Sequence, residues 1–116
     1  MTRHQGFDVR VSPEVRQLLR RSARSDARLQ GRFITEMRRL STSGTRARSA
    51  KKLVALDLWK VRIGSHRAFF CPVPGSRRIA VGALVFKDAQ KLRMAKLRAI
   101  ERQVHQWRDR LKEDEG

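Results

Sequence analysis

The spacing of hydrophobic positions changes period three times along the chain. "FDVRV" (7–11) alternates apolar and polar residues, which predicts a short strand with one buried face. At Ser12-Pro13 the pattern turns helical, with Ser12 as N-cap and Pro13 at the first helical position. Val15, Leu18 and Leu19 supply that helix with an apolar stripe. Ser25-Asp26 would cap a second helix, where Leu29, Phe33, Met37 and Leu40 recur at three- and four-residue steps. Gly31 inside it costs about 1 kcal/mol relative to Ala. "STSGTRARSAKK" (41–52) is polar, basic and aperiodic, and reads as a surface loop.

Period two follows. "KLVAL" (52–56), "LWKVRI" (58–63), "HRAFFC" (66–71) and "RIAVGALVFK" (78–87) are expected strands. Gly64-Ser65 fits a two-residue hairpin turn with glycine first, and "PVPGS" (72–76) a wider turn whose prolines should lie outside the ladder. From Ala89 to about Lys112 the helical period returns, placing Met94, Leu97, Ile100, Val104, Trp107 and Leu111 on one stripe. The acidic tip, 113–116, is expected to fray. The order β-α-α-β-β-β-β-α predicts an α+β domain over 1–116, with helices segregated onto one face of a mostly antiparallel sheet.

Alternation within "LWKVRI" sets Trp59, Val61 and Ile63 on one face and Lys60 and Arg62 on the other. The first set can pack against helices, leaving the second to solvent or a ligand. Arg67 joins it across the turn, and Lys87, Asp88 and Lys91 follow the last strand. Lys60, Arg62, Arg67, Lys87 and Lys91 thus suit a concave surface for a phosphodiester; the plainer reading is a solvated basic face.

Charge sharpens this picture. The 116 residues carry 28 Lys/Arg against 11 Asp/Glu, a net charge of +17 and a pI near 11.8. Residues 1–52 hold 14 basic and 4 acidic residues, and residues 53–116 hold 14 and 7, so the charge is not confined to a tail. Such self-repulsion favours a polyanion or an acidic partner. Cys71 is the only cysteine, which excludes an internal disulfide. No apolar run approaches membrane-spanning length, and the start lacks the apolar segment of a signal peptide, so a soluble cytoplasmic protein is expected. CxxC, HExxH and glycine-rich phosphate loops are all missing from the sequence, so no metal or other cofactor is expected.

"LxLWKVRIGSHRAFF", a turn, and "IAVGALVFKDAQK" before a closing helix resemble the RelE/ParE toxin superfamily, in particular its HigB-like, phage-derived branch. The resemblance covers nearly the whole chain and rests on Leu58–Arg67 and Lys87–Lys91. It implies a RelE-like fold and the toxin of a type II toxin–antitoxin pair, cleaving messenger RNA on the ribosome without a metal. In that chemistry a base takes the 2′-OH proton, the oxygen attacks its own phosphate, and an acid protonates the leaving 5′-oxygen. Arg62 and Arg67 would hold the phosphate, whose growing negative charge suits the arginine fork. Lys87 would share that work or serve as acid or base. The chain has no tyrosine, a residue on which several relatives rely, so Asp88, His66 or Lys91 would substitute, Asp88 first. Lys60, His66, Lys91 and Lys52 would contact RNA. The implied partners are messenger RNA, the ribosome and a cognate antitoxin, acidic or helix-turn-helix in type, with no membrane.

Other residues read as structural. Trp59 and Trp107 fall on apolar faces, Cys71 is a small buried hydrophobe, His105 is inert, and His4 carries no signal. Phe69 and Phe70 point to opposite faces, so one of them would be open to RNA. Two further classes fit the same scaffold: a ParE-like inhibitor of DNA gyrase, and a non-catalytic basic nucleic-acid-binding protein.

Overall fold

The computed structural model describes residues 6–86 and 92–115. Its elements are β1 (Asp8–Val11), α1 (Pro13–Ser22), α2 (Leu29–Ser43), a 3₁₀ turn (Gly44–Arg46), β2 (Ala50–Lys52), β3 (Trp59–Ile63), β4 (His66–Pro72), β5 (Arg78–Phe86) and α3 (Met94–Glu115). The five strands form one sheet in the order β1-β5-β4-β3-β2. β1 runs parallel to β5, and every other pairing is antiparallel. The architecture is α+β.

Local chemistry explains most boundaries. Ser12 stays extended and its hydroxyl accepts from the Val15 N–H at 3.2 Å, with Pro13 opening the helix where no donor is required. α2 starts later than Ser25-Asp26 suggests. Asp26 Oδ1 instead accepts from the Arg28 N–H at 3.2 Å in the turn before the helix. Gly44 ends α2 at φ 59°, with the Phe7 ring packed where a Cβ would stand.

Several expectations are corrected. The segment 41–52 is not one loop, because it completes α2, makes the 3₁₀ turn and forms β2. The strand expected at 52–56 lies at 50–52, and residues 54–57 turn instead, with Ala55 at φ 66°. Pro72 sits inside β4 opposite Ile79. It is tolerated there because Val73, the next residue, donates the ladder bond to Arg78 O at 2.9 Å. α3 runs to Glu115.

The largest correction concerns layering. α1 and α2 pack on one sheet face, where Val15, Leu19, Leu29, Phe33 and Leu40 meet Val61, Ile63, Phe70 and Val81. α3 packs on the opposite face, where Ile100, Val104 and Leu111 meet Phe69, Cys71, Ala80 and Ala83. The helices therefore sandwich β4 and β5 rather than sharing one side. The unbroken apolar runs of those two strands fit burial on both faces. A register shift between Phe69 and Phe70 leaves Gly82 as the extra residue in β5.

Candidate nucleic-acid interface

The β3–β4 hairpin builds the most distinctive polar surface. Gly64 takes φ 57° and Ser65 does not have positive φ, as a two-residue turn with glycine first requires. That turn pairs Ile63 with His66 and sets Arg62 directly opposite Arg67. The closing pair of such a hairpin is hydrogen-bonded, so Arg62 and Arg67 form the non-hydrogen-bonded pair, with Cα atoms about 4.5 Å apart. Their side chains leave the sheet on the α3 side. Lys60 shares that face through its pairing with Phe69, and Lys51 through its pairing with Lys60.

α3 covers the β4–β5 part of this face but leaves the hairpin end open. Arg62 is exposed, while Arg67 and Lys60 are half-buried. Among the described residues, neither Arg62 nor Arg67 makes a hydrogen bond or ion pair. Two guanidinium forks side by side, without a carboxylate holding them, form a ready receptor for phosphate oxygens. Val85 flanks Arg67 on β5, and Leu92 and Leu97 pack nearby against the second core.

Lys60, Arg62 and Arg67 thus come together as the alternation predicts. Lys87, Asp88 and Lys91 lie outside the described residues. Lys52 departs from the expectation because of register. It pairs with Trp59, on the α2 side, and its Nζ donates to Leu56 O at 2.9 Å, closing the β2–β3 turn. Lys51, rather than Lys52, stands on the face of Lys60. A strand placed one residue differently exchanges the faces of its side chains.

His66 also departs from it. It shares the face of Ala68 and Phe70, is buried, and sets its ring edge-on to Phe86 at 5.3 Å between centroids. Its Nδ1 is buried with no hydrogen bond among the described residues. Burial holds its pKa below the ordinary 6.5, opposed by the Asp26 carboxylate. It cannot reach the phosphate face from there.

The expectation that one of Phe69 and Phe70 would be open to RNA is likewise corrected. Both are fully buried, one in each core. Trp59 stacks on Phe70 at 6.2 Å, and the Trp107 N–H donates to Arg10 O at 2.9 Å. Cys71 is buried and its thiol is pushed up to about 12, chiefly by desolvation. His105 is structural: its Nε2 lies 2.7 Å from Asp57 O, tying α3 to the β2–β3 turn.

Among the described residues no group of His, Cys, Asp and Glu is arranged to hold a metal ion. None of the helices is long and apolar enough to cross a membrane, among the residues described. Comparison with known proteins gives no match, either to a family model or to a curated sequence.

Proposed function

We propose that this chain is an RNA-cleaving toxin of the RelE/ParE type, acting on messenger RNA in the ribosome. The observation that carries the reading is the cross-strand pair Arg62–Arg67, the first exposed and the second half-buried, at the end of a basic sheet face. Cleavage by a 2′-OH needs cations at the phosphate and one acid–base pair, and no metal. Arg62 and Arg67 hold the phosphate, while Lys60 and Lys51 guide the strand toward it. Lys87 and Asp88, with Lys91, are the acid–base candidates. The net charge of +17 suits a polyanionic target and an acidic antitoxin that covers this face in the cytoplasm.

The test is induced expression of the wild type and of an Arg62→Ala, Arg67→Ala variant, with mapping of messenger 5′ ends during growth arrest. In-frame cleavage inside translated messages, lost in the variant, supports the proposal. Growth arrest with intact messages would replace it with the gyrase-inhibitor reading. Tight, salt-sensitive RNA binding without cleavage would replace it with the non-catalytic one.

A further inference from the structure

A second arginine array lies away from that sheet face. Arg16, Arg20, Arg24, Arg28 and Arg32 recur at every fourth residue, through α1, the connecting turn and the start of α2. All five are exposed, as is Arg21 beside them. Among the described residues none of these six guanidinium groups makes a hydrogen bond or ion pair. Asp26 is the only acid between residues 16 and 32. Like charges four apart on a helix repel, so the array is not there to stabilise α1.

The array is continuous with the hairpin. Arg28 and Arg32 share an open groove with Arg62, Gly64 and Glu36, whose carboxylate is engaged by Arg39 and Ser49, and Arg20, Arg21 and Arg24 line another beside α1. The Arg32 guanidinium lies over the hairpin turn, with its Nη1 2.5 Å from where a Gly64 Cβ would stand. A charged track therefore runs from α1 round the hairpin end of β3, beyond its pairing with β2, to Arg62.

Its composition indicates what it takes. Every basic residue of the track is arginine, and residues 13–32 contain no aromatic side chain or histidine. Trp107 shares a groove with Arg16 and Arg20, but it is half-buried, with Arg110 over its ring and its N–H donated to Arg10 O. Single-stranded nucleic acid is usually gripped by base stacking on aromatic rings. An array of exposed arginines with no open ring beside it suits contacts to phosphates, as in sequence-independent recognition of a duplex. We infer that the α1–α2 arginine track binds the phosphate backbone of double-helical RNA, anchoring the protein beside the strand held at Arg62 and Arg67. The inference rests on the reading of RNA as the ligand of the sheet face.

The test is fluorescence anisotropy of the full chain with a labelled RNA hairpin and a labelled single-stranded RNA, across a salt series. Three variants are compared with wild type: Arg16→Gln/Arg20→Gln/Arg24→Gln, the same three positions changed to Lys, and Arg62→Gln/Arg67→Gln. Circular dichroism and thermal unfolding check each fold. The triple Gln variant should lose tenfold or more for the hairpin and less than threefold for the single strand. Its slope of log affinity against log salt should fall by about 2–3, and the Lys variant should keep the wild-type slope. Unchanged hairpin affinity in the triple Gln variant overturns the inference, as does an equal loss on both RNAs. Preference for a DNA duplex of the same sequence over the RNA hairpin also overturns it. Failure of the sheet-face reading is separate: Arg62→Gln/Arg67→Gln would then leave single-strand binding unchanged.

Discussion

A Cβ placed on Gly82 would stand 2.8 Å from the Val104 Cα, so α3 rests on β5 backbone to backbone. This contact forms where the sheet's second face meets α3, the one helix that covers it among the described residues. It explains why the residue added to β5 by the bulge has no side chain.

Gly82→Ala should therefore destabilise the fold, because the clashing atom is main chain and cannot rotate away. The expected loss is about 1–3 kcal/mol by chemical denaturation. Gly31→Ala is the control: Gly31 is exposed in α2 with nothing within 4 Å of its Cβ position. That change should stabilise the protein by about 1 kcal/mol through helix propensity.

Arg62 and Arg67 face each other as like charges on neighbouring strands. Replacing one with a good strand former, Arg62→Thr, should raise stability by about 0.2–1 kcal/mol. RNA affinity should fall at the same time. Denaturant titration paired with a binding assay reads both, and a variant that loses stability would contradict the repulsion.

His66 is buried with its pKa held down, so the folded state resists its protonation. Above pH 6.5 the imidazole is neutral in both states and its contribution to stability is complete. Below that value the unfolded chain takes up the proton first, and stability falls with pH by at most about 1.4 kcal/mol per unit. Thermal unfolding between pH 7 and 5 should show this slope in wild type. His66→Phe, which keeps an aromatic ring beside Phe86, should flatten it.

Cys71 is inaccessible and its thiol stays protonated well above neutrality. A thiol-specific disulfide reagent at pH 8 should leave the native protein unlabelled. Labelling should appear only as denaturant opens the second core, at the rate of unfolding. Rapid labelling without denaturant would show that α3 leaves the sheet in the native state.

The sequence by itself determined whatever depends on neighbours within a few residues. The Ser12-Pro13 helix start, the Gly64-Ser65 turn and the shared face of Lys60 and Arg62 follow from capping, backbone conformation and alternation. Arg67 could be assigned to that face because a two-residue turn fixes the register of its hairpin. The same parity, counted from Ile63 across the turn, sets His66 on the opposite face, away from the phosphate chemistry expected of it. β2 was harder. Its pairing depends on where the chain turns between Leu53 and Leu58, and a one-residue difference decides whether Lys51 or Lys52 joins the basic face. Only the tertiary structure decided which side of the sheet α3 covers. A strand buried on both faces has no polar alternation left to distinguish them, so "AFFC" and "IAVGALV" announced burial without saying which helix provides it. The close approach of α3 at Gly82, and the arginine track's junction with the hairpin at Gly64, arise from packing between segments distant in sequence. No local pattern carries that information.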